Sequence, residues 1–152
     1  MHSLCNAHHI RELTWSAEED HQDWANKMIK FLKKLNKKVE KAGGKFSKKK
    51  SQYYRKRYRE LLSEGESSCP PPQKIAEKRG RPKKTKSRNL LERLIDYEDD
   101  VLRFMDDIDV PFTNNLGEND LRMTKVQQKI SGCFRSEDGA KIFCRIRGYL
   151  IT

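Results

Sequence analysis

A chain of 152 residues is long enough for one modest domain, whose folding buries roughly 68 to 70 per cent of the unfolded surface. Only 35% of its residues are hydrophobic while 36% are charged, so the apolar side chains must gather on a few faces, and a mainly α chain with thin helical packing fits those numbers. The formal charge of +11 favours a polyanion such as nucleic acid, because each phosphate neutralised releases condensed counterions, and no apolar run approaches bilayer length, which sets a membrane aside.

Residues 2–5 read as a short strand, with no pairing partner within reach in the chain, so upstream sequence is missing or the strand pairs elsewhere. Asn6 to Leu13 reads as the entry to a helix. Cys5, Cys69, Cys133 and Cys144 lie far apart, and the first residues lack the layout of a secretion signal, which points to free thiols in a reducing cytoplasm. Cys5 and His8 have a spacing that begins some zinc sites, but no second short-spaced pair completes four ligands.

Ser16 with Glu19 three residues on has the form of a capping box, and Trp24, Met28, Phe31, Leu32, Leu35 and Val39 then recur at helical spacing until Gly43 and Gly44 end the segment. A second helix is expected over residues 47–63, with Tyr54, Tyr58, Leu61 and Leu62 inward and Gly65 as its stop, antiparallel to the first. Both outer faces are strongly basic. Lysines and arginines between Lys45 and Arg59 interleave with Tyr53, Tyr54 and Tyr58, of which Tyr54 and Tyr58 read as packing because they share the apolar stripe.

Residues 65–87 change to Pro, Ser, Gly and Lys, a linker stiffened by three consecutive prolines after Cys69. Within it stands Lys78-Arg79-Gly80-Arg81-Pro82-Lys83-Lys84, which resembles the Arg-Gly-Arg-Pro core of an AT-hook. Narrow A-T minor grooves attract inserted arginines, glycine permits close backbone approach, and proline keeps the strip extended. A plain flexible basic linker is the alternative. Helical periodicity returns at Leu90, Leu94, Tyr97, Val101, Met105 and Ile108, with Ser87 as cap and an acidic outer face from Glu92 to Asp107 that reads as solvated.

Pro111 breaks that helix, Asn114 or Asn115 can cap the next, and Ser131-Gly132 breaks it in turn. A last helix is expected from Ser136, with Ala140, Phe143, Ile146 and Leu150 inward. Glu118 falls in a first helical turn, where the dipole favours an ionised carboxylate. That placement suits a metal ligand and suits ordinary capping equally.

The run Pro111, Asn114, Asn115, Glu118, Leu121, Arg122, with Lys129 to Ser136, Gly139-Ala140 and Leu4 to Leu13, resembles the insertion sequence sixty-six family of bacterial transposases over nearly the whole chain. Gly117 and Asn119 depart from the family's usual Ala and Arg. The resemblance implies that Glu118 is the last carboxylate of an Asp, Asp, Glu site on a ribonuclease H-like fold, which binds Mg in the complete active site. Two divalent ions roughly 3.5 to 4 Å apart need several carboxylates, and the family's two aspartates precede the segment at which this sequence begins. It further implies that Cys5, His8 and Arg11 recur near the catalytic centre, with Asn114 and Asn115 supporting it. Arg122, four residues after Glu118, either orients that carboxylate, meets a phosphate or forms a surface ion pair, and Lys125 and Lys129 extend the basic face.

The expected organisation is a ribonuclease H-like fringe at 1–13, a helical insertion at 14–108 with the basic linker at 65–87, and catalytic-domain helices at 109–152. Expected partners are DNA and further copies of the chain assembled on transposon ends. The expected function is the C-terminal part of a transposase that binds DNA but cannot cut it alone. The rival readings are a non-catalytic AT-hook protein and an inactive remnant.

Overall fold

A computed structural model describes residues 5–72, 82–114, the positions 122, 125, 126, 129, 132 and 134, and 136–151, the side chains of 147, 150 and 151 excepted. The chain divides into two units, Met1–Thr113 and Asn114–Thr152. The described residues form helices and no strand, in keeping with a mainly α chain. The strand expected at 2–5 lies, Cys5 apart, outside them; Cys5 itself is the extended residue before the first helix.

The first unit contains α1 (Asn6–Glu18), α2 (Asp23–Lys41), α3 (Lys48–Ser68), α4 (Lys86–Asp96) and α5 (Glu98–Leu102), the last running into a 3-10 turn at Arg103–Met105. Its core is built on the α2 stripe of Trp24, Met28, Leu32, Leu35 and Val39, against Leu13, Tyr58, Leu62, Leu90, Leu91, Leu94, Val101 and Met105. Helix α2 ends as the sequence indicates, with Gly43 and Gly44 at φ +81° and +93° and Gly44 N–H donating to Val39 O. Helices α2 and α3 run antiparallel, as the pairings Lys27 with Glu64 and Lys38 with Tyr54 require. Tyr58 is fully buried and donates to Leu94 O at 2.9 Å. Burial, with Glu98 adding to it, raises its pKa well above the ordinary phenol value.

Four local expectations are corrected. Ser16 and Glu19 do not open a helix: α1 continues through Ser16, which is buried, and the break comes at His21, at φ +50°, with Gln22 N–H donating to Ser16 O. The buried face of α1 is Asn6, His9, Leu13 and Ser16, mostly polar, so a search for apolar periodicity passes over it. Gly65 is not a stop; α3 runs to Ser68 and Gly65 is buried where two helices approach. Ser87 does not cap α4: Thr85 does, its Oγ1 accepting from Arg88 N–H, while the buried Ser87 hydroxyl donates to Asp20. The segment from 90 to 108 is not one helix, since it bends at Tyr97 and turns Val101, Leu102, Phe104 and Met105 into the core.

The start of α1 is fixed from a distance. Asn6 N–H donates to Phe112 O and its Nδ2 to Val101 O, so α1, which crosses the expected boundary at residue 13, packs with the bundle. In the second unit α6 (Glu137–Ile151) begins after Ser136, whose Oγ accepts from Gly139 N–H, as expected. Phe143 is half-buried against Phe134, whereas Ile146, expected inward, is 55% exposed. No helix among the described residues is long and apolar enough to cross a membrane.

Two predictions test this packing. A Cβ on Gly65 would stand 2.8 Å from Leu91 Cδ1 and 3.0 Å from the Trp24 ring. Gly65→Ala should therefore lower unfolding free energy by about 1 to 2 kcal/mol in urea titrations, overpacking outweighing the gain in helix propensity of about 1 kcal/mol. His9, with neither ring nitrogen hydrogen-bonded among the described residues, is held below its ordinary pKa of 6.5 by burial and then by the charge of Arg93, against the pull of Glu12. The unfolded chain then binds the proton more readily than the folded one. Stability should be fully present above about pH 6.5 and fall, by up to about 1.4 kcal/mol per unit, as pH drops through the folded pKa. His9→Phe should remove that part of the pH dependence.

Candidate nucleic-acid interface

Basic side chains on a helical unit do not by themselves make an anion-binding surface, because carboxylates folded against them cancel their charge. Helix α3 illustrates the point. Arg55 reaches Glu98 at 3.3 Å, Asp99 at 2.6 Å and Asp106 at 2.7 Å, and Arg59 holds Glu98 at 2.8 Å. Burial works against the Arg55 charge, but the bonds from Asp106 and Asp99 outweigh it and its pKa is raised. The bond from Glu98 likewise raises that of Arg59. The acidic run after the linker is thus not the merely solvated face that the sequence pattern implies, because much of it is folded onto the basic side of α3.

Helix α2 differs. Lys30, Lys33, Lys34, Lys37 and Lys41 line its outer side, and none meets a carboxylate among the described residues. Their spacing of three and four residues places them in one row opposite the buried stripe. Lys27 and Lys38, at the row's flank, are engaged by Glu64 and Tyr54, whose bonds raise both pKa values. At the end of the row the turn into α3 adds exposed Lys45, Lys48 and Lys49. The sequence marks both helices as basic on the outside; the fold decides that the α2 row keeps its charge and the α3 arginines do not.

The residues singled out in sequence fall in three groups. Arg79, Gly80 and Arg81, together with Asn115 and Glu118, lie outside the described residues. Pro82, Lys83 and Lys84 are described: Lys83 is exposed, but Lys84 pairs with Glu92, so only one of the two lysines offers its charge outward. The bonds from Lys84 and Arg88 hold the Glu92 carboxyl below its usual range. Arg88, itself buried, donates to Cys69 O at 3.0 Å and pairs with Glu66 and Glu92, while Cys69 Sγ lies 3.7 Å from Thr85 Oγ1. The two ends of the basic linker are therefore held together. Cys5 stands just before α1, and His8 and Arg11 follow on the helix at three-residue spacing, both exposed. Arg122, Lys125 and Lys129 are helical and exposed, again along one face, and Asn114 is exposed.

Among the described residues no three His, Cys, Asp or Glu side chains are grouped to hold a metal ion. The exposed lysine row of α2 presents uncancelled positive charge, which suits a polyanion.

A pair of substitutions separates charge that is available from charge that is cancelled. Lys30→Glu with Lys37→Glu should weaken duplex DNA binding and lower the slope of log affinity against log salt by about 0.9 for each phosphate no longer neutralised, with the melting temperature little changed. Arg55→Ala should do the reverse, leaving the slope little changed and lowering stability by about 1 kcal/mol or less, since Glu98 keeps Arg59, Asp106 keeps Ser51 and Asp99 stands largely in water.

A family model described as Transposase IS66 family matches residues 1–142. No curated protein and no solved structure matches the chain.

Proposed function

Since the chain belongs to the IS66 family of transposases, we propose that its helical unit holds DNA by the backbone while Glu118 contributes a carboxylate to the strand-cutting and joining centre of the transposase. The observation that carries the DNA-holding half is the α2 lysine row, outward-facing and without carboxylate partners among the described residues. Lysine is a point charge without the planar fork that reads guanine edges, so such a row grips phosphates without choosing sequence. From Lys30 to Lys41 it spans roughly 16 Å at 1.5 Å per residue, enough to reach phosphates on both sides of a major groove about 12 Å wide.

The strip around Arg79 and Arg81 is proposed as a second contact, in an A-T minor groove. Its support is the Arg-Gly-Arg-Pro chemistry, together with the clamp of Arg88 on Cys69 O, which gives the linker a fixed base and limits the entropic cost of binding DNA. Arg122, Lys125 and Lys129, one exposed row, form a third contact beside the Glu118 motif, with Asn114, Asn115, Cys5, His8 and Arg11 in supporting roles.

Membership of the family points to divalent-metal use. The ion proposed is Mg, with Glu118 as one ligand. Because the described residues hold no group of three ligands, its other carboxylates are assigned to residues beyond them, as is the ribonuclease H-like portion of the fold. What the described residues do is bind and orient DNA.

The test is Glu118→Gln in a complete element. Transposition in cells should fall by at least about 100-fold, while the purified variant chain binds duplex DNA within about twofold of the unaltered one. Undiminished transposition would remove Glu118 from the centre and leave DNA binding as the function.

A further inference from the structure

Between α1 and α4 the first unit opens into a cleft of about 360 Å³, which the lysine row does not use. One wall is Trp15, 36% exposed and off the buried stripe of α1, so its ring is not committed to the core. The ammonium of Lys86 stands 4.5 Å from the centre of that ring. The opposite wall carries Asn89 and Arg93, and Arg93 pairs with Glu12 at the rim. Two polar atoms of the lining are buried with no hydrogen-bond partner among the described residues: the Ser16 hydroxyl, on a side chain only 1% exposed, and Arg93 Nε.

These groups together narrow the ligand. An apolar molecule would cover the exposed Asn89 amide and the Lys86 ammonium with nothing that can hydrogen-bond them, a cost that polar groups rarely bear on burial. A simple anion needs cations but has no use for an indole face. A nucleobase with its phosphate uses the groups that the cleft exposes: stacking on Trp15, an edge hydrogen bond to the Asn89 amide, and a phosphate for the ammonium now resting on the ring. Position favours the same ligand. Lys86 is the first residue of α4, three positions after exposed Lys83, so DNA gripped by the basic linker arrives at the mouth of the cleft, where the helix dipole also favours a phosphate.

We propose that this cleft receives an unpaired base of DNA, extrahelical or at a strand end, stacked on Trp15 with its phosphate on Lys86. A base within a paired duplex cannot reach such a pocket without leaving the stack. The assignment rests on the reading of the chain as DNA-binding and adds to it a site that distinguishes distorted or opened DNA from intact duplex.

The experiment titrates the full chain, at one salt concentration, with a fully paired duplex, with the same duplex carrying one central unpaired adenine, and with that adenine replaced by an abasic unit. The unpaired adenine should bind about 5- to 100-fold more tightly than the abasic unit and quench the emission of Trp15, with the buried Trp24 as a constant background. Trp15→Ala and, independently, Asn89→Ala should abolish the preference while leaving the paired duplex within about twofold. Asn89 is exposed, so its variant decides the matter if Trp15→Ala does not fold. Equal binding of the adenine and abasic duplexes overturns the cleft alone, and so does a Trp15→Ala loss shared equally with the paired duplex. Failure to bind any of the three overturns both the cleft and the DNA-binding reading.

Discussion

The three carboxylates gathered by Arg55, at Glu98, Asp99 and Asp106, set the electrostatic character of the whole helical unit. That seam pairs the acidic segment after the linker with basic side chains of α3. With it, opposite charges that lie more than forty residues apart in the chain cancel locally, and the net positive charge of the chain is concentrated elsewhere. Half-buried pairs of this sort add little stability for their number, because desolvation offsets much of the attraction. Their larger consequence is to sort the basic residues into those held by the protein and those left for a partner.

The same seam positions the segment that bears it. Ser51 donates to Asp106 and Phe46 N–H to Met105 O, so the 3-10 turn after α5 is tied to the start of α3, and Asn6 joins the beginning of α1 to Val101. At the other end of α3 the close approach at Gly65, where Trp24 and Leu91 meet the helix backbone, lets α4 lie near enough for Arg88 to close the linker. Lys86, at the start of α4, lies on the Trp15 cleft, and the strip, the cleft and the lysine row are three of the contacts proposed for nucleic acid.

Membership of a transposase family gives these features a common purpose. Backbone grip without base reading, a minor-groove strip and a pocket for an extruded base are all suited to DNA that must be held and distorted rather than recognised by long sequence contacts. That handling is the role proposed for the helical unit with its linker, and the chemistry of strand transfer is the role proposed for the Glu118 centre.

Much of the local structure was legible in the residues themselves. The α2 stripe from Trp24 to Val39, its end at Gly43 and Gly44, the packing role of Tyr58 and the start of α6 after Ser136 each depend on spacing or backbone preference within a few residues, which a linear pattern records. The exchange of Thr85 for Ser87 as cap, the passage of α3 through Gly65, the bend at Tyr97 and the buried polar face of α1 were not legible, since each is settled by what lies across the core: Asp20 for Ser87, Trp24 and Leu91 for Gly65, the inward turn of Phe104 and Met105 for Tyr97. The functional surface divides in the same way. Sequence determined that the chain is helical and basic, but only tertiary structure decided which of its charges face a partner, because charge cancellation depends on distances between residues that the chain alone does not bring together.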